Sequence, residues 1–103
     1  MSNYAKMLKQ AARMQQQIAD AQSNLVKITA DGSSGGGAVK VTARGDGVIT
    51  TIKIDPQVLT AGDASMLEDL VLSAANQALD KAREIANTEM GKATQGFNIP
   101  GLM

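Results

Sequence analysis

Few residues in this chain of 103 could do chemistry, and the missing types exclude more than the present ones permit. There is no cysteine and no histidine. Thiol nucleophiles, thiolate metal sites and disulfides are therefore ruled out, as are Ser-His-Asp relays, histidine general bases and ordinary zinc centres. The carboxylates do not make up the loss. Glu68 and Asp69 are adjacent, so on a helix they point roughly 100° apart and cannot share a substrate atom. Asp46, Asp55 and Asp63 occur singly, as turn and cap residues do. No catalysis, cofactor, metal or small-molecule substrate is expected.

Glycine supplies the next candidate, because glycine-rich loops cradle phosphates. The segment Asp31-Gly32-Ser33-Ser34-Gly35-Gly36-Gly37 has the composition. A phosphate loop, however, lies between a strand and a helix N-terminus, with Lys and Ser or Thr following. Here the glycines fall between two strand-like segments and run into Ala38-Val39-Lys40. The expectation is a mobile hairpin loop, inessential to the fold.

Charge carries a clearer signal. Ten basic and ten acidic residues cancel, so no global field draws the chain to nucleic acid or a membrane. Their distribution is uneven. Lys6, Lys9 and Arg13 precede any acid until Asp20, whereas residues 55–69 hold Asp55, Asp63, Glu68 and Asp69 and no base. A basic helical tip and a separate acidic shoulder follow. Only 2% of residues are aromatic, so base stacking is not expected. Nucleic acid would be held by phosphate contact and shape.

The elements that must carry these bases follow from periodicity. Asn3 to Ser23 contains no Gly or Pro and is rich in helix formers. Tyr4, Met7, Ala11, Met14, Ile18, Ala21 and Leu25 recur at alternating spacings of three and four. This is a heptad seam that favours contact between helices, within one chain or across a dimer. We assign Met7, Ala11, Met14 and Ile18 to a dimer interface. Lys6, Lys9 and Arg13 lie on the opposite face.

From Val26 the period becomes two. Val26, Ile28 and Ala30 suggest a first strand, Val39, Val41 and Ala43 a second, and Val48, Thr50, Ile52 and Ile54 one face of a third. Gly45-Asp46-Gly47 reads as a tight hairpin and Asp55-Pro56 as a stop. Asp63 is the expected N-cap of a last helix reaching about Met90. Its alanines, among them Ala74, Ala78 and Ala82, imply that something approaches it closely. The chain thus reads as an α+β fold: helix, three-stranded antiparallel meander, helix. Residues 1–93 form one domain, and residues 94–103 form a loose tail.

A chain of 10.7 kDa with one Phe, one Tyr, no Trp and six Met packs a thin core, and self-association would add to it. No signal segment is evident and no apolar run approaches the ~20 residues of a membrane span, so a cytoplasmic protein without a membrane partner is expected.

Taken together, several stretches resemble the YbaB/EbfC family of bacterial nucleoid-associated proteins. They are Met7-Leu8-Lys9-Gln10-Ala11 with Met14-Gln15, Val39-Lys40-Val41-Thr42 after the glycines, and Ile54-Asp55-Pro56. Met66-Leu67-Glu68-Asp69-Leu70-Val71, Ala74-Ala75-Asn76 and Gly96-Phe97-Asn98-Ile99-Pro100-Gly101 complete the order. The resemblance covers nearly the whole chain. It implies a homodimer with helical arms projecting from a β body, and a place in the nucleoid. It also implies binding of double-stranded DNA with weak sequence preference, nucleoid organisation and gene regulation. By the same resemblance, Lys6, Lys9 and Arg13 on the first helix and Lys81, Arg83 and Lys92 on the last are the DNA contacts. The alternative is a non-catalytic dimeric protein-interaction module whose DNA contact is incidental.

Overall fold

The computed structural model describes residues 3–60 and 62–95. A first helix, α1 (Asn3–Leu25), leads through a short turn into β1 (Thr29–Ser34). A single 3-10 turn, Gly35–Gly37, reverses the chain into β2 (Val39–Arg44), and a hairpin gives β3 (Ile49–Ile54). A five-residue helix, α2 (Pro56–Thr60), precedes the long α3 (Ala64–Ala93). The strands form one antiparallel sheet in the order β1-β2-β3. Helix, meander, helix is the order expected from periodicity.

Three features of the sheet differ from expectation, each for a physical reason. The first strand begins at Thr29 rather than Val26, because α1 closes in a turn in which Lys27 N donates to the Asn24 carbonyl. It then runs on through Asp31, Gly32, Ser33 and Ser34, so half of the supposed loop is strand. Only Gly35, Gly36 and Gly37 make the reversal, with φ of 60°, 67° and 96°, a region that side chains other than glycine rarely enter. In β3, Ala43 pairs with Ile49 but Thr42 pairs with Thr51, so Thr50 is the extra residue of a bulge. Ile49, not Thr50, therefore joins Ile52 and Ile54 on the inner face.

At the far end, α3 passes through Gly91 to Ala93 and is closed by Thr94. Its start is as expected, with Asp63 Oδ1 accepting from Met66 N at 3.0 Å. Of the expected tail, Thr94 and Gln95 are described and the remainder lies outside the described residues. The Asp55-Pro56 stop also begins α2. Asp55 Oδ1 accepts from Gln57 N at 3.0 Å, and proline, with no N–H to lose, takes the first helical position.

The core lies between α3 and the first two strands. Val39 and Val41 are the largest fully buried side chains, joined by Ala30, Ala43, Ala74, Ala78 and Ala82. Ala74, Ala78, Ala82 and Ala86 form a row at spacing four, and β1 lies against that row. Gly32 fits where nothing larger can. A Cβ there would sit 2.2 Å from the Ala74 carbonyl oxygen and 2.6 Å from Ala78 N. The expected close approach to the last helix is therefore β1 itself. Polar side chains fasten it on either side of Gly32. Ser34 Oγ donates to the Leu70 carbonyl at 2.6 Å, Ser33 N donates to Gln77 Oε1 at 2.8 Å, and Lys81 Nζ donates to the Asp31 carbonyl at 3.2 Å. These contacts occupy polar groups of β1 along the edge that β2 leaves unpaired.

The β2–β3 turn carries the strongest ion pair. Arg44 Nε and Nη2 donate to the two Asp46 carboxylate oxygens at 2.8 and 2.6 Å. That hydrogen bonding holds the Asp46 carboxyl below its ordinary value. A depressed carboxyl contributes stability above its unfolded-state pKa and loses it as pH falls through the lower folded value. The pair is exposed, so its effect on stability is small. The expected result in Arg44→Gln is a higher Asp46 midpoint in an NMR carboxyl titration. An unmoved midpoint would remove Arg44 as the cause.

Candidate nucleic-acid interface

Twenty-three residues make α1 roughly 34 Å long. Only Ala21 on it is buried, and Met14, Ile18 and Leu25 are half-buried. Its root is fixed through Gly45, whose N–H reaches both the Leu25 and Ile28 carbonyls, and through packing on the end of α3. Toward the N-terminus Tyr4, Met7 and Leu8 stand 68%, 65% and 55% exposed. The helix is an arm. The protein measures 73 × 24 × 16 Å, with a radius of gyration of 20.2 Å against about 13 Å for a compact chain of this length.

Lys6, Lys9 and Arg13 lie at spacings of three and four, so they share one face of the arm, and all three are exposed. Among the described residues none of them is in an ion pair. Asp20, the first acid of α1, is engaged by Gln16 Nε2 at 3.0 Å. The opposite face carries the seam: Met7 and Ala11 are exposed, whereas Met14 and Ile18 turn toward the root.

The bases of α3 are not gathered. Arg83 Nη1 pairs with Asp80 at 3.3 Å and Lys92 Nζ with Glu89 at 3.4 Å, both within α3. Two residues apart, Lys81 and Arg83 point about 200° apart around the helix. Lys92 alone lies beside the root of the arm, lining a recess with Gln17, Asp20 and Asn24. Lys81 instead holds the edge of β1.

A second group of bases escaped the sequence reading. Lys40 and Lys53 face each other across β2 and β3, and with Lys81 they line an open recess of about 380 Å³ on the outer face of the sheet. Lys40 was legible as an outward residue. Its partner depends on the bulge, and no local signal brings Lys81 there from α3.

Comparison with known proteins agrees with this architecture. A model of the YbaB/EbfC DNA-binding family matches residues 1–97. A nucleoid-associated protein of Caldanaerobacter subterraneus is 49% identical over 100 residues, covering 97% of this chain and 90% of that protein. One from Anaeromyxobacter dehalogenans is 41% identical over 96 residues, 93% of each. The crystal structure of an uncharacterized protein of Helicobacter pylori, HP0035, superposes with a TM-score of 0.75 over 89% of this chain and 97% of that one. At 18% identity that likeness speaks for the fold alone. With its sequence matched almost from end to end and its helix-meander-helix fold, the chain belongs to the YbaB/EbfC DNA-binding family.

Proposed function

We propose that the protein binds double-stranded DNA through phosphate contacts with little sequence preference, as a homodimer, and serves nucleoid organisation and gene regulation. The observation that carries this reading is the exposed face of Lys6, Lys9 and Arg13 on a projecting arm, in no ion pair among the described residues. A neutral protein can grip a polyanion locally when its cations are presented away from its acids. The family's description as DNA-binding, and relatives named nucleoid-associated proteins, support the same partner and a nucleoid location. Of the α3 bases, Lys92 beside the arm's root is the best placed to extend the contact. Like Lys81 and Arg83, it already has a partner, in its case Glu89, which a phosphate would displace.

The dimer rests on surface. The chain exposes 7324 Å², against about 5,500 Å² for an ordinary folded monomer of its mass. Among the described residues, the buried apolar side chains are those of seven alanines and two valines. α3 covers β1 and β2 but hardly touches β3, which leaves Ile49 and Ile52 on the inner face 38% and 48% exposed. We assign this strip to the dimer interface, together with the α1 seam of Met7, Ala11, Met14 and Ile18. Ile52→Lys is the test. In a monomer so exposed a position tolerates lysine, so a folded variant that sediments at half the wild-type mass is expected. A wild type that is already a 10.7 kDa monomer at micromolar concentration would overturn the dimer.

DNA binding is tested by titrating the wild type with two unrelated duplexes at two salt concentrations. Equal affinity for both, falling steeply with salt, is expected. No binding at low salt would favour the protein-interaction module, whose docking surface would be the exposed Tyr4, Met7 and Leu8.

A further inference from the structure

The outer face of the sheet carries a charge arrangement that the arm does not explain. Lys40 and Lys53 are direct partners across β2 and β3. In such a pair the Cβ atoms lie roughly 4.5–5.5 Å apart, and like charges destabilise it. A third ammonium, that of Lys81, is brought over the edge of β1 and tethered there by one hydrogen bond to the Asp31 carbonyl, 3.2 Å. The carboxylate nearest to hand, Asp31, accepts from Thr42 Oγ1 at 2.8 Å, and none of the three lysines forms an ion pair among the described residues. Thr42 and Thr51 add hydroxyls to the lining, and no apolar side chain contributes to it. The recess, about 380 Å³, has the volume of roughly a dozen waters.

We propose that this recess is a binding site for a phosphate group, held by Lys40, Lys53 and Lys81 with the Thr51 hydroxyl completing the shell. An anion between the facing lysines turns their repulsion into attraction, and three ammoniums outnumber the one carboxylate. With no apolar or aromatic wall, the site reads the phosphate and not whatever is attached to it. Two sources offer that chemistry: the backbone of DNA, or a free phosphorylated molecule.

Titration of the 15N-labelled protein with inorganic phosphate, against chloride at matched ionic strength, tests the proposal. Saturable shifts of the amides around Lys40, Thr42, Thr51 and Lys53 are expected. Lys53→Thr suits a strand and removes the like-charge pair, so it should fold with an equal or higher thermal midpoint at low salt. Phosphate should raise the midpoint of the wild type and leave that of the variant unchanged. The absence of saturable shifts, or an equal response in Lys53→Thr, would overturn the site. A short duplex that moves the same amides identifies the DNA backbone as the source. A duplex that leaves them unmoved, while phosphate shifts them, identifies a free phosphorylated ligand. The recess shares no residue with the arm, so a variant with Lys6, Lys9 and Arg13 changed to alanine keeps the phosphate response, and the two proposals fail separately.

Discussion

Gly32→Ala is expected to destabilise the protein by about 3 kcal/mol, the upper part of the range for overpacking a tight interior. The added methyl would meet the Ala74 carbonyl oxygen at 2.2 Å and Ala78 N at 2.6 Å. Both are backbone atoms of α3, so no side-chain rotation relieves the clash, and helix and strand must separate. Separation loosens the contacts on either side, Lys81 with the Asp31 carbonyl and Ser33 with Gln77, and opens the row of alanines over Val41. In a domain of this size such a loss lowers the thermal midpoint by roughly 12–24 °C. Gly36→Ala, where nothing lies within 4 Å, has only its positive φ against it and should cost about 1 kcal/mol. Calorimetry of the two variants separates the contributions. Equal midpoints would mean that β1 does not press on α3 as described.

That contrast marks where local sequence stopped being informative. β2 was legible because Val39, Val41 and Ala43 alternate with polar residues over six positions, and one buried face imposes that pattern. The alanine row of α3 was legible for the same reason, as a stripe too small to be a core unless something came close. The strand that comes close was not. Asp31-Gly32-Ser33-Ser34 has the composition of a loop, and its extended form is dictated by α3, more than forty residues away in sequence. Tertiary contact overrode local preference. The bulge at Thr50 likewise shows no signal in a run of β-branched residues, yet it moves Ile49 to the inner face.

The candidate contacts divide along the same line. The face of Lys6, Lys9 and Arg13 is set by spacing within one helix, so sequence suffices to find it. Recognising it as an arm required the rest of the fold, because a helix with the same seam could have packed along its whole length. For α3 the family resemblance supplied Lys81, Arg83 and Lys92 as a set, and the helix turns them to different neighbours: the β1 carbonyl, Asp80 and Glu89. A set of bases close in sequence is a patch only when helix geometry gives them a common face.

For the DNA reading, the expected result is a salt dependence that shallows residue by residue along the arm. Two arms with three bases each would neutralise about six phosphates, so log affinity should fall against log salt with a slope near about −5. A fourfold rise in salt then weakens binding by about 1,000-fold. Lys9→Ala removes one contact from each arm and should shallow the slope by roughly 2, with similar loss on unrelated duplexes, since phosphates carry no sequence information. The variant with all three bases changed to alanine should lose the arm's share of the slope, about 5, while the helix persists, because alanine favours helix at exposed positions. Arg83→Ala should alter the slope less than Lys9→Ala, because its guanidinium is already paired with Asp80. Circular dichroism establishes that the arm is intact, and fluorescence anisotropy at several salt concentrations gives the slopes. If the triple variant binds as the wild type does, the arm is not the DNA contact. If Lys9→Ala weakens one sequence and spares another, the contact reads bases after all.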